Sequence, residues 1–369
     1  MKLEELISKP PSWLRGDVPL ADKVIFSRVR IVRNLMDFPF PNQSTPENLK
    51  AVLMRLEVAS RYVTPLHPYI TVNFEDAPSE MRSILLERGV PISSSLLKET
   101  PLYGRAAFIR EDERMVVMVN NEDHITIQAT MPGLALKDAL NLALSAVEIY
   151  EKLIEMAFID TMGFLSSSPI NTGLGISIGV MLHLPGIALS RQIKSFFELF
   201  QRSKFIIRNY FMTTTAGSFY YMHSFVKLGL TEDELYRQFA EVVDTVLDLE
   251  DESRDTLGEK YRDVVEDKVA RALAILNTAK LISFSELVEV ISYVRLGIQM
   301  GLVKGFDYTS LNETLFLAQP AHMKRFVDQP GLPDEELELQ VNRLRAAFVR
   351  SHLKIGKFFR PSGGTSPTV

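Results

Sequence analysis

The stretch Gly163-Phe164-Leu165-Ser166-Ser167-Ser168-Pro169-Ile170-Asn171-Thr172-Gly173-Leu174-Gly175-Ile176-Ser177-Ile178-Gly179-Val180-Met181-Leu182-His183-Leu184-Pro185 decides how the chain is read. A short apolar run leads into a loop of Ser, Pro, Asn and Gly. Strict alternation follows: Ile176, Ile178, Val180, Leu182 and Leu184 on one face, Ser177, Gly179, Met181 and His183 on the other. Period-two alternation after a turn-rich segment predicts a strand fed by a loop. A loop presented in this way suits backbone contact with a ligand. Between Asp160 and Arg191 there is no Lys, Arg, Asp or Glu.

The chain has 369 residues, enough for about two domains. It is 46% hydrophobic and 24% charged, an ordinary globular composition, and its net charge of −5 gives no sign of nucleic-acid binding. There is no cysteine, which excludes disulfides, thiolate metal sites and thiol nucleophiles. The N-terminus lacks the apolar segment of a signal peptide, and no run reaches the ~18 apolar residues of a membrane helix. A cytoplasmic protein is the expectation.

Outward from the central stretch, Val24–Leu35 reads as a strand with Arg28 and Arg30 pointing one way and Val29 and Ile31 the other. Two adjacent guanidiniums repel unless an anion joins them, and phosphate suits the arginine fork; a solvated strand face is the plainer reading. Pro46–Tyr62 and Leu134–Phe158 read as amphipathic helices, and the stripe of the second is core. Arg114–Gln128 reads as a hairpin turning at Asn120-Asn121-Glu122-Asp123. Arg191–Phe200 is expected to be a helix and Phe205–Arg208 a strand. Thr231 with Glu234 makes a capping box, and Ser283 with Glu286 and Ser310 with Glu313 are read as caps too. The charged run Asp248–Asp255 is taken as a domain boundary, with helices only beyond it, the last over Glu335–Leu353. The segment from Arg360 is rich in Pro, Ser, Gly and Thr and reads as disordered. There is no P-loop pattern, and the six histidines have no metal-ligand spacing.

Several of these segments resemble the ATP:guanidino phosphotransferase family, the bacterial protein arginine kinases in particular. Gly163, Phe164, Leu165, Pro169, Asn171, Gly173, Val180, His183, Leu184 and Pro185 fit the family's central signature. Val294-Arg295-Leu296-Gly297-Ile298 and Leu311-Asn312-Glu313 fit the C-terminal domain of the arginine kinases. The resemblance covers roughly residues 20–355. It implies an α+β fold: a guanidino-kinase domain over 21–252, a curved antiparallel sheet flanked by helices, then an all-α domain over 253–358. Residues 1–20 would be a leader and 359–369 a tail.

The resemblance also implies a site. Ser27, Arg28, Arg30, His124 and Arg208 would bind the phosphates of ATP, which arrives with Mg²⁺ and needs no metal ligands from the protein. Ser27 is a near match only, because the family's serine falls on Phe26. Glu122 falls on a catalytic glutamate, which with a second carboxylate would orient the acceptor guanidinium and help remove its proton. Four positions depart from the family pattern. Thr126 and Ser177 stand where it has phosphate-binding arginines, Thr213 where it has the second glutamate, and Ser168 where it has the reactive cysteine. Asn342 and Arg345 keep part of a phosphoarginine-binding motif.

Phosphoryl transfer is mostly positioning and charge neutralisation. The lost cations and carboxylate therefore point to a protein that binds nucleotide or protein partners in a regulatory role with catalysis impaired or gone. The alternatives are an active protein arginine kinase, its cationic gap filled by residues such as Arg33 or Arg191, and a structural dimer whose arginines are salt-bridged. Implied partners are a second copy of the chain, a zinc-finger adaptor and a Clp-type protease system.

Overall fold

The computed structural model describes residues 3–93, 102–190, 196, 198, 205–211, 217–224, 229–329, 331–353 and 357–358. The strands are β1 (Val24–Arg33), β2 (Tyr69–Asn73), β3 (Ala106–Arg110), β4 (Met115–Val119), β5 (Ile125–Pro132), β6 (Phe158–Ile159), β7 (Gly163–Phe164), β8 (Ile176–His183), β9 (Phe205–Asn209), β10 (Phe219–Ser224), β11 (Val303–Lys304) and β12 (Lys357–Phe358). Eight of them form one antiparallel sheet in the order β2-β3-β4-β5-β1-β8-β10-β9. β1 lies at its centre, paired with β5 and β8, because the alternation of β1 and β8 gives each two faces to bury.

One face carries Val29, Ile31, Ile176, Ile178, Val180 and Leu182 into the larger core cluster. That cluster is closed chiefly by α4 (Leu136–Leu153) and α6 (Glu232–Lys260), with α2 (Pro46–Ser60) and α5 (Pro185–Leu189) adding Val52, Leu56 and Ile187; the remaining helices of this part are α1 (Leu3–Ser8) and α3 (Ser79–Glu87). α4 contributes Leu140, Ala143, Val147 and Tyr150, while α6 contributes Leu235, Phe239, Val243 and Val246. Burying side chains of this size stabilises by about 1.5–3 kcal/mol each relative to exposure. The Tyr150 hydroxyl shares a 2.6 Å hydrogen bond with the Ser60 hydroxyl, tying α4 to α2.

The opposite sheet face meets a second cluster made with α7 (Arg262–Thr278), α8 (Phe284–Gln299), α9 (Tyr308–Leu317) and α11 (Asp334–His352), with α10 (Pro320–Lys324) between the last two along the chain. Phe26, Met181, Phe219 and Tyr221 enter it from the sheet, and Trp13 and Leu14 from the N-terminal segment. Residues 1–20 are thus no detached leader, since Trp13 is 1% exposed. Buried Arg295 on α8 donates to the Ala21 carbonyl at 2.6 Å and to Asn312 Oδ1 at 2.9 Å, fixing the entrance to β1 against the helical region.

Three sequence expectations change. The charged run Asp248–Asp255 lies inside α6, an unbroken helix, and the chain breaks at Tyr261 instead. Charge density there reflects i,i+3 and i,i+4 pairing, Arg254 with Asp251 and Glu250. α9 begins earlier than Ser310: Asp307 is the cap, accepting from the Ser310 N–H at 2.8 Å. The C-terminal region is not purely helical, because β11 pairs with β12. The Thr231–Glu234 capping box is present. Nearly all of the helix expected over Arg191–Phe200, and the tail after 358, lie outside the described residues.

Candidate active site

The odd-numbered face of β8 and the even-numbered face of β1 are the same side of the sheet, so their polar residues gather there. Arg28 lies opposite Thr130 of β5 on one flank and Gly179 of β8 on the other; Arg30 lies opposite Gln128 and Ser177. Tyr221 lies opposite Met181 and Arg208, and His223 opposite Gly179. Of these, Arg28, Arg30, Ser177, Arg208, Tyr221 and His223 floor a cavity of about 380 Å³. The segment Gly89–Ser93 after α3 forms one wall. The turn Asn121–Asp123 and the loop residues Ile170 and Asn171 form the rim.

Arg28 is 3% exposed. Its Nε donates to Thr130 Oγ1 at 3.1 Å, and its guanidinium lies 4.4 Å over the Phe26 ring and 5.8 Å from that of Trp13. Its Nη2 is buried with no hydrogen-bond partner among the described residues. Arg30 Nε donates to Gln128 Oε1 at 2.7 Å. Burial lowers the Arg30 guanidinium pKa from its usual value, and the charges of Arg28 and Arg208 push the same way against the raising influence of Tyr221 and Tyr210. Neither Arg28, Arg30 nor Arg208 forms an ion pair with a described carboxylate. Three guanidiniums on one cavity floor, none paired with a described carboxylate, repel one another unless an anion joins them. Salt-bridged scaffold arginines would look otherwise, as Arg33 does. On the far sheet face it holds Glu151 at 2.7 Å and lies 3.4 Å over the Phe164 ring. Arg33 therefore cannot fill the gap beside Ser177, and Arg191 lies outside the described residues.

The cavity brings together Arg28, Arg30, Glu122, Thr126, Ser177 and Arg208. Glu122 is exposed at the rim. Thr126 and Ser177 present neutral hydroxyls, and Ser177 Oγ donates to the Ser224 carbonyl at 3.4 Å. Other expected members are elsewhere. Ser27 faces α4: its hydroxyl donates to the Gly133 carbonyl and accepts from the Ala135 N–H. Strand alternation makes this unavoidable, since Ser27 is odd and the arginines even. His124 is fully buried behind the turn. The Leu35 N–H donates to its Nδ1 at 3.1 Å, so Nε2 carries the proton, toward the Pro39 carbonyl at 3.1 Å. Burial pushes its pKa down to about 4, leaving it neutral and structural. Ser168 is half-buried beside the rim, its N–H donating to Ser166 Oγ, and does not line the cavity. Thr213 lies outside the described residues. The Asp123 carboxylate is consumed by Asn34 Nδ2, Ser166 Oγ and the Ser167 N–H, which anchor the rim loop to the turn.

Sequence reasoning missed Gln128, Tyr210, Tyr221, His223 and the Gly89 wall. The alternation Phe219-Tyr221-His223 was a usable signal; the wall had none, because nothing in its own pattern says where α3 ends in space.

The chain matches the description "ATP:guanido phosphotransferase, C-terminal catalytic domain" over residues 61–253, and "Protein-arginine kinase McsB C-terminal domain" over 262–361. It belongs to the ATP:guanidino phosphotransferase family. Curated relatives match nearly its whole length. A protein-arginine kinase of Symbiobacterium thermophilum is 33% identical over 365 residues, 96% of this chain and 99% of that one. A Bacillus cereus protein-arginine kinase is 30% identical, covering 97% and 100%. Among solved structures, a taurocyamine kinase from Schistosoma mansoni superposes with TM-score 0.57 at 22% identity, over 66% of this chain and 35% of that one. A lombricine kinase gives TM-score 0.52 at 16% identity, over 68% and 75%. These two show the shared fold, an antiparallel sheet flanked by helices. The two family matches meet between 253 and 262, next to the helix break at Tyr261.

A second cavity of about 800 Å³ lies among α3, α10 and α11, and Asn342 and Arg345 line it. Arg345 donates to the carbonyls of Ala318 at 2.8 Å and Ile282 at 3.0 Å, and also to Asn342 Oδ1. Burial lowers its pKa to about 10. Among the described residues no group of three or more His, Cys, Asp or Glu is placed to hold a metal, and no helix is long and apolar enough to cross a membrane.

Proposed function

We propose that this protein-arginine-kinase-like protein binds a magnesium nucleoside triphosphate in the cavity floored by Arg28, Arg30 and Arg208, and that phosphoryl transfer from it is strongly impaired. The carrying observation is the unpartnered Arg28 Nη2, buried in a floor of guanidiniums that no described carboxylate neutralises. Residues and group fit each other: an anion with several oxygens satisfies what the fold leaves open. Arg28, Arg30 and Arg208 would hold the phosphates, and the metal would come bound to the nucleotide, supplying charge neutralisation at the transferred group.

Impairment is argued from charge. The guanidinium of an arginine acceptor has a pKa above about 12 and must be oriented and relieved of a proton. Glu122 stands ready at the rim, but Thr126 and Ser177 bring no positive charge where the family pattern has arginines. Transition-state arginines in related chemistry are worth roughly 10³- to 10⁵-fold in rate, so even partial loss leaves little turnover. The role left is regulatory: a nucleotide-dependent binder of protein partners. A homodimer, a zinc-finger adaptor and a Clp-type protease remain the family-based expectation for those partners, to be checked by light scattering and affinity capture.

The second reading is an active protein arginine kinase. Full-length identity of 33% to such an enzyme favours it. Incubation with Mg-ATP and an arginine-rich protein, followed by mass spectrometry for phosphoarginine, separates the two. Calorimetric titration with Mg-ATP tests nucleotide binding itself, and a protein that takes up none defeats the proposal.

A further inference from the structure

Gln128 stands at the junction of the two surfaces that make the cavity. It lies on β5 directly opposite Arg30, is 3% exposed, and uses both ends of its amide. Oε1 accepts from Arg30 Nε at 2.7 Å, and Nε2 donates to the Gly89 carbonyl at 2.7 Å. The reversed amide would face an N–H with an NH₂ and a carbonyl with a carbonyl, so the network fixes its orientation. One side chain thus pins a floor guanidinium and the wall segment together. The wall is pressed close: Gly89 has φ +84°, and a Cβ there would sit 2.6 Å from Arg28 Nη2.

Holding Arg30 by Nε keeps its two terminal nitrogens out of that bond, on a side chain that lines the cavity. Thr130 holds Arg28 by Nε in the same way, one register step along. Both acceptors are neutral. A carboxylate in either place would orient the arginine equally well but would cancel its charge, and a paired arginine has little left for a phosphate. The choice of amide and hydroxyl is what keeps the floor positive.

We infer that Gln128 is a positioning residue for anion binding, fixing the Arg30 fork toward the ligand and tying the Gly89–Ser93 wall to the floor. This rests on the reading of the cavity as a nucleotide-phosphate site. It assigns Gln128 no contact with the reacting atoms.

The test uses the full-length chain with Gln128→Glu and Gln128→Leu, titrated with Mg-ATP by calorimetry, alongside hydrogen exchange of residues 89–93 in the ligand-free protein. In Gln128→Glu the new carboxylate pairs with Arg30, so nucleotide affinity falls about tenfold to a hundredfold while the fold survives. The ratio of variant to native affinity recovers as pH is lowered through the carboxyl's titration, because the protonated acid again presents a neutral acceptor. In Gln128→Leu affinity falls too, and exchange at 89–93 speeds up without nucleotide. If Gln128→Glu binds like the native protein at every pH, the positioning role is wrong. A lower melting temperature with unchanged affinity also overturns it, leaving Gln128 a packing residue. If the native chain binds no nucleotide, the cavity reading itself fails and the proposal goes with it; exchange at 89–93 then still reports whether the clamp to the wall exists. Should Gln128→Leu not fold, Gln128→Glu alone decides.

Discussion

Replacing Arg28 by Met should separate a ligand-binding arginine from a structural one, because the two roles predict opposite results. In the free protein Arg28 is awkward to keep. Its buried Nη2 has no partner, and an unsatisfied buried donor costs about 1–3 kcal/mol, more when charged. Against that stand the Nε bond to Thr130, about 1 kcal/mol, and cation–π contacts with Phe26 and Trp13, about 0.5–2 kcal/mol in sum. Methionine keeps much of the aliphatic packing. The terms cancel to within about 1–2 kcal/mol, a shift of a few degrees at most in the melting temperature. Nucleotide binding behaves differently. Each charge-assisted bond to phosphate is worth about 1.5–3 kcal/mol, so the dissociation constant rises at least about tenfold. The assay is calorimetric titration with Mg-ATP plus thermal unfolding with and without it. At a hundredfold excess over Kd, ligand stabilises the native protein by about 2.7 kcal/mol, and the variant loses about half of that increment or more at the same concentration. A variant that melts far lower without nucleotide yet binds it unchanged would refute the reasoning and make Arg28 a scaffold residue.

Gly89→Ala puts a Cβ 2.6 Å from Arg28 Nη2 at a φ of +84°; it should cost about 1 kcal/mol or more of stability and weaken nucleotide binding together, read by melting and titration. Ser177→Arg adds a cation next to Arg30; affinity for Mg-ATP should rise several-fold while the ligand-free protein melts lower from the added repulsion. His124 has a folded pKa near 4 against about 6.5 unfolded, so the folded chain carries fewer protons between those values. Its contribution is complete above about pH 6.5 and is lost as pH falls to 4, up to about 3 kcal/mol; urea melts at pH 7 and 4.5 should show the loss, and His124→Gln should flatten part of it.

The fold was legible in the sequence where a residue's neighbours along the chain determine its surroundings. The alternation of Ile176–Leu182, the arginine parity of β1 and the Thr231–Glu234 cap all behave as read, because strand pleat and helix capping are local. Ser27 was misjudged by one residue, and in a strand one residue is the other face. The charged run Asp248–Asp255 lies inside a helix rather than a linker; charge density looks the same in a linker and on the solvated side of a helix. The cavity's floor followed from motif positions, but its wall did not. Gly89–Ser93 reaches the arginines only through the fold, and Gln128 reads as an ordinary strand polar residue until Arg30 is seen across from it.

The central proposal is that the site holds nucleotide phosphates but transfers one poorly. Mass spectrometry for phosphoarginine, on an arginine-rich acceptor incubated with the protein under Mg-ATP concentrations that calorimetry shows to be saturating, tests it most directly. The account predicts a saturable nucleotide complex with phosphoarginine no higher than in Glu122→Gln. Phosphoarginine that accumulates with the native chain and vanishes in Glu122→Gln would contradict it.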